Sequence, residues 1–326
     1  MAFIGALLAT LLGAELAVRA SASRLDEPLI YFSGSAQTAV HDMDVLADNG
    51  ITSDLTFVGT SMVRRGIDAN RFEGVLDGVD YAHNVALPGA QTPVVERWLL
   101  DEVVPRLRPT RVVWGLSSID FNDGRPNKTI DQYLKARASE PGFKGDVDRV
   151  VLDLALSEHR EELRDPAALI EATRGNGVKY TRARPLDRRA VWDLQYPELS
   201  DERLAKMRAN HKVTVRDKQL ADFNLGNREL ESFRTTIREL RARDIEIVIV
   251  IMPVPTSFLD LHPEGPEQFD AFAAEVIAEA EALGVVALDH RSRMDDDDFR
   301  DYEHLWVEAA KRYSDLLAAD LLTLGW

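Results

Sequence analysis

Asp54-Leu-Thr-Phe-Val-Gly-Thr-Ser-Met-Val-Arg-Arg-Gly-Ile-Asp68 holds a short apolar run that stops at Gly59 and delivers Ser61 to the next turn. Leu55, Phe57 and Val58 suit a strand buried on both faces, and Gly59 permits a sharp turn that a residue with a Cβ resists. Ser61 then falls at the carboxyl end of the strand, where open α/β sheets bind their ligands. Alone, the stretch also fits an ordinary strand-to-helix turn with Ser or Thr as N-cap. A second stretch, Asp301-Tyr302-Glu303-His304, placed before the last helix, favours the first reading.

Further apolar runs of strand length follow. Asn84-Val85-Ala86-Leu87 leads into a Pro88-Gly89 turn, and Pro93 opens a helix carrying Val94, Val95, Trp98, Leu99 and Val103 at helical spacing. Arg111 to Leu116 is the third strand, ending in the polar stretch Ser117 to Asp123. A helix near 228–243 precedes the most apolar strand, Ile245 to Pro253; Phe269, Phe272, Val276, Ile277 and Ala280 mark the next helix, and Val285 to Asp289 is the fifth strand. A helix from about Leu305 to Leu322 closes the domain. Strands alternating with helices predict an α/β fold, three layers deep, with a mostly parallel five-stranded sheet covered on both faces. Residues 125–222 break the rhythm with many charges and helix-like stretches such as Val150 to Leu156, and are expected to form a helical insertion beside the active-site edge.

The chain has 326 residues, 45% of them hydrophobic, enough for one large domain or one domain with an insertion. A net charge of −16 disfavours a nucleic-acid or anionic-membrane surface. There is no Cys, which excludes thiol catalysis, disulfides and zinc-thiolate sites. Ala2 to Val18 is apolar apart from Thr10 and Glu15, about the length that crosses a bilayer core. Residues 1–22 are therefore expected to be an uncleaved N-terminal transmembrane anchor, with a cleaved signal segment ending at Ala20-Ser21-Ala22 as the alternative. Residues 23–53, with an extended piece at Leu29 to Phe32 and a polar turn around Asp48-Asn49-Gly50, are taken as linker and lead-in to a domain spanning 54–326.

In this order the pieces resemble the SGNH (GDSL-type) hydrolase superfamily, over roughly residues 52–124 and 225–325. Gly59-Thr60-Ser61 stands for the first block, with Thr where the name motif has Asp; Asn84 to Gly89 stands for the second and Asp301-x-x-His304 for the last. Gly-Thr-Ser-x-x-Arg-Arg-Gly-Ile-Asp, with a single N-terminal anchor, is similar to the membrane-tethered branch that includes the D-alanyl-lipoteichoic acid transfer and alginate acetylation proteins. The resemblance implies a flavodoxin-like sheet and an esterase or O-acyltransferase acting on a cell-envelope glycan or lipid-linked polymer. It also implies an extracytoplasmic catalytic domain and a membrane-bound O-acyltransferase as partner.

Residue chemistry supports the same mechanism. A serine hydroxyl is a poor nucleophile near neutral pH and needs a base, for which His304 is the candidate. Asp301 can orient the imidazole and stabilise the imidazolium that forms. No metal or organic cofactor is required by this chemistry. The resemblance further implies oxyanion donors from the backbone N–H groups of Ser61 and Gly89 and from an Asn of the third block. Here the sequence departs: Ser117 takes the Asn position, so Ser117 through its hydroxyl or Asn122 from the next loop supplies the donor, or the third donor is missing. Losing one donor costs on the order of 3 kcal/mol of transition-state stabilisation, which would suit a slow hydrolase that transfers to a sugar hydroxyl. The same departure motivates a reading from another class, a catalytically weak, tethered glycan-binding or assembly protein.

Arg64 and Arg65 are candidates for binding an anionic glycan or phosphate, with structural ion pairs as the alternative. His290 is a second, poorer candidate base. The Asp295–Asp298 run lacks calcium-loop spacing and reads as a solvated acidic turn. His41, His83, His159, His211 and His262 show no metal-ligand spacing.

Overall fold

The architecture is a parallel sheet with strand order β2-β1-β3-β4-β5, built from β1 (Leu55–Val58), β2 (Ala82–Asn84), β3 (Arg111–Leu116), β4 (Glu246–Ile251) and β5 (Val286–Asp289). It comes from a computed structural model, which describes residues 9–17, 32–123 and 200–326. The chain divides into two compact units, 1–39 with 129–184 and 40–128 with 185–326. The sheet lies in the second unit. Of the first, the described residues 9–17 and 32–39 are helical. Among the described residues no helix is long and apolar enough to cross a membrane. The rest of the expected anchor, residues 23–31 of the lead-in and residues 125–199 of the expected insertion lie outside the described residues.

Register carries all the strand ends to one edge. Val58 pairs with Trp114, Leu116 with Ile251, and Ile251 with Asp289, so the segments leaving β1, β3, β4 and β5 emerge side by side. Strand β2 is shorter than its apolar run suggests and ends at Asn84, where the run 84–87 was expected to be strand. The Asn84 side chain accepts from Ala86 N–H at 3.2 Å, an Asx-type turn that bends the chain out of the ladder. The chain still follows β1, with Val85 N–H donating to Phe57 O and Leu87 N–H to Gly59 O.

Successive side chains of a strand face opposite sides, and β3 shows what each side packs against. Trp114 meets Phe233 of helix α5 (Asn227–Arg241) at 5.4 Å between ring centres, and Phe233 continues to Phe121 and then Phe272 of α6 (Pro266–Ala282). The helix opening at Thr92–Arg97, α3, lies on this side and runs on through a π-helical stretch, Trp98–Val103. On the other side, a Cβ at Gly115 would stand 2.4 Å from Val63 Cγ2 and 2.7 Å from Met252 Sδ. Val63 belongs to α2 (Ser61–Gly66), and α7 (Val307–Thr323) lies on that same side, where Ser314 Oγ accepts from Asp68 N–H at 2.8 Å.

One helix falls where the sequence suggested less order. Phe32, read as the end of an extended piece, begins α1 (Phe32–Asp48), whose Val40, Met43 and Leu46 recur at helical spacing and are buried. Its Asp44 pairs with Arg106 at 2.6 Å. Helix α4 (Asp201–Thr214), from the region expected to be a helical insertion, carries acidic residues in its first turn and basic ones in its last, which suits the helix dipole, but buries no residue.

Gly115→Ala should cost about 1–3 kcal/mol of stability, because the new methyl meets Val63 and the Met252 sulfur inside a packed layer. Gly66→Ala, whose nearest neighbour is the mobile end of Met252 at 3.2 Å, should cost less than about 1 kcal/mol. Urea midpoints of the two variants check the order.

Candidate active site

Gly59 turns the chain at the end of β1 with φ 143°, and its bare Cα is close enough to β3 that a Cβ would lie 2.4 Å from Gly115 O. The turn places Ser61 as the first residue of α2, half-buried. The helix's first bond runs from Arg64 N–H to Thr60 O, so the Ser61 N–H is left outside the helical ladder.

The loop after β5 returns to this point. Phe299 and Leu305 form an antiparallel bridge, Arg300 N–H donates to His304 O at 2.8 Å, and Trp306 N–H donates to Asp298 O at 2.9 Å. Inside this closed loop Asp301 Oδ1 accepts from the N–H groups of Glu303 and His304, at 3.0 and 2.9 Å. The His304 ring stands with Nδ1 2.9 Å from Asp301 Oδ1 and 3.0 Å from Oδ2, and with Nε2 2.9 Å from Ser61 Oγ. Burial acts to raise the Asp301 carboxyl, but the charge and hydrogen bonds of His304, the charge of His211 and the backbone donors outweigh it and hold it well below the usual carboxylate range. Asp301 therefore favours His304 with Nδ1 protonated and Nε2 free to accept from the serine.

The expected oxyanion donors divide. Gly89, with φ 74°, lies in the turn that follows Leu87, whose N–H bonds Gly59 O, so the turn sits against the start of the Ser61 segment. Ser117 follows β3 at the same sheet edge, 1% exposed, with its N–H donated to Asp120 Oδ2 at 2.8 Å. Asn122 is not offered to the site. Its amide donates to the carbonyls of Gln219 and Ala221, at 2.8 and 3.4 Å, and its Oδ1 accepts from Asn224 N–H. Asn122 thus fastens the loop after β3 to segment 219–225, a role for which a buried amide with both ends matched is suited.

The two arginines also separate. Arg64 is 8% exposed and donates to Ala86 O at 3.4 Å, which directs it to the backbone beside β2 rather than to an anion in solution. Arg65 is half-buried, and its charge is felt at His211. His290 is packed away from Ser61, between Tyr313 and Asp320, and burial lowers its affinity for a proton. Asp296 of the acidic run caps Thr256 N–H at 2.7 Å, and Asp298 pairs with Arg312.

Three residues near the site were given no role of their own by the sequence. Asn84 donates to the carbonyls of Val63 and Ile67 at 3.0 and 2.9 Å, tying the nucleophile's helix to β2. His262, ringed by Phe223, Phe258 and Phe269, holds Ser118 Oγ at 2.8 Å, but Ser118 is fully buried and no carboxylate orients that histidine. His211 of α4 lies 2.8 Å from Glu303 and 5.6 Å, ring centre to ring centre, from His304. His211, Glu303 and His304 place donor atoms within 4.8 Å of one another, but their ring nitrogens are matched to Glu303, Asp301 and Ser61, which describes a hydrogen-bond network rather than a ligand set. Nothing in the spacing of residues 211 and 303 signals that they meet.

Asn122→Ala should lower stability by about 1–2 kcal/mol, because part-buried carbonyls at 219 and 221 lose their donor. Labelling of Ser61 by a fluorophosphonate should change by less than tenfold, measured on the folded fraction, whereas removing a true oxyanion donor costs about a hundredfold or more.

No family model matches the chain, and no curated protein matches it. Among solved structures, a crystal structure of a protein from Bacteroides fragilis NCTC 9343, provisionally described as an acylhydrolase, aligns over 86% of this chain and 95% of its own, with 10% identity and a TM-score of 0.42.

Proposed function

We propose that this chain is a serine-dependent esterase or O-acyltransferase working through an acyl-enzyme on Ser61. The observation that carries the reading is the position of His304, with one ring nitrogen 2.9 Å from Ser61 Oγ and the other 2.9 Å from Asp301. Ser61 Oγ attacks the ester carbonyl while His304 Nε2 takes its proton, and Asp301 stabilises the resulting imidazolium. The carbonyl oxygen becomes an oxyanion, facing the N–H groups of Ser61 and Gly89 with Ser117 as the third candidate. Collapse expels the alcohol, which receives the proton from His304, and leaves the acyl group on Ser61. In the second half-reaction water or a sugar hydroxyl gives its proton to His304 and takes the acyl group. A binding protein with no chemistry has no need of a base aligned on both sides, which favours the enzyme reading over a binding-only one.

The substrate class follows from the sequence resemblance: acyl esters of a cell-envelope glycan or lipid-linked polymer, handled by an anchored extracytoplasmic domain. A membrane-bound O-acyltransferase would supply the acyl group. Of the two arginines, we assign contact with an anionic polymer to Arg65, the less buried one.

Fluorophosphonate exposure of the full chain should add one adduct, seen by intact mass, that is absent from Ser61→Ala. His304→Ala and Asp301→Asn should each slow labelling and hydrolysis of an activated acetate ester, by a factor on the order of a thousand to ten thousand. No adduct on the parent protein, under conditions that label a control esterase, would sink the reading. Because Asp301 is held well below the usual carboxylate range, its protonation should not limit labelling in mild acid, and the pH profile of the labelling rate should show no break where ordinary carboxylates titrate.

A further inference from the structure

Helix α4 buries no residue, yet two of its side chains reach the loop that carries His304. Arg208 donates from Nε to Arg300 O at 2.8 Å and from Nη2 to Phe299 O at 3.0 Å. His211, three residues on and on the same helix face, places Nε2 2.8 Å from Glu303 Oε2 and Nδ1 3.5 Å from Asp301 Oδ1. Its ring centre lies 5.6 Å from that of His304. Glu303 is 5% exposed at its side chain and His211 17%, so the pair is largely shielded from solvent.

The charged groups facing His211 are Glu303 and Asp301 on the loop, His304 beside them and Arg65 on α2. Burial and Arg65 act against a proton on His211; the Glu303 hydrogen bond and the charges of Asp301 and Glu303 outweigh them, so the net direction is upward from an ordinary histidine. The sign follows from linkage. A group raised in the folded state contributes its full stabilisation below the unfolded value, near 6.5, and loses it as pH rises through the folded value.

We propose that His211 is a positioning residue for the reaction at Ser61: its two ring nitrogens, set 2.8 Å from Glu303 Oε2 and 3.4 Å from the Tyr302 nitrogen, whose N–H donates to the ring, hold the loop that carries Asp301 and His304 in register with Ser61. The inference rests on the acyl-transfer reading given above. Tyr302 and Glu303 are the two residues between Asp301 and His304, so a hold on both fixes the turn on which orienter and base stand. It also gives the polar helix α4 a reason to lie where it does, since hydrogen bonds rather than an apolar stripe attach it to this loop.

The test compares the full chain with His211→Gln and His211→Ala, with far-UV circular dichroism as the check on the fold. Gln keeps a nitrogen donor for Glu303, and Ala keeps neither contact. In His211→Ala, Ser61 labelling and kcat on an activated acetate ester should fall about tenfold with KM little changed, and His211→Gln should recover most of the loss. The downfield proton signal of the His304–Asp301 hydrogen bond, assigned by its loss in His304→Ala, should broaden in His211→Ala. An unmoved kcat and an unchanged signal in folded His211→Ala, or a Gln variant no better than the Ala variant, overturns the role given to His211. Failure of the parent to label would instead overturn the acyl-transfer reading, while the proton signal still decides whether His211 holds the loop.

Discussion

The seating of helix α2 on the sheet depends on one close approach, that of Val63 to the bare Cα of Gly115. A methyl group there would overlap Val63 Cγ2, and one at Gly59 would overlap both Val63 and the Gly115 carbonyl. With both methyls absent, the helix rests directly on β3 and Met252, and its first residue is held at the carboxyl edge of the sheet. Asn84 completes the seating from β2 through the carbonyls of Val63 and Ile67. The nucleophile's position is thus a packing result before it is a chemical one, and interiors packed this densely leave it little freedom to drift.

The base arrives by a different kind of force. Its loop is closed by the Phe299–Leu305 bridge and organised internally around the Asp301 carboxylate, which accepts from backbone and imidazole together. A buried carboxylate with that many donors stays ionised, and an ionised Asp301 selects the tautomer of His304 that can accept from Ser61. One atom, Asp301 Oδ1, therefore sets both the shape of the loop and the protonation pattern of the base. Helix α4 adds to the same loop from outside by Arg208 and His211, with no buried side chain of its own. Sheet, loop and outer helix depend in turn on apolar packing, hydrogen bonding and charge.

The sheet and the central elements of the site were legible because each is local. Apolar runs ending in Gly59 or in a polar cluster mark strands and their edge, and Asp301 and His304 lie three residues apart in one loop, where a carboxylate can reach the imidazole without help from the rest of the chain. Helix α1 is equally local at Val40, Met43 and Leu46, but the mixed composition of residues 23–53 hides it. What did not show in the sequence is non-local or depends on direction. Asn122 and Ser117 are both polar residues after β3, and only the fold decides that the Asn122 amide turns to residues 219 and 221. Arg64 and Arg65 are adjacent and identical, yet helix geometry sends one to the Ala86 carbonyl and the other toward His211.

By itself, the sequence determined the alternation of strand and helix, the residue types able to act as nucleophile, base and orienter, and the exclusion of thiol chemistry. These follow from composition and from spacings of a few residues, which local backbone geometry converts directly into position. Only the tertiary structure decided that Ser61 and His304, which are 243 positions apart, meet at 2.9 Å, and that His211 from a polar helix joins Glu303 beside them. Sheet register and close packing at glycines bring such residues together, and neither leaves a periodic trace at the residues that finally touch.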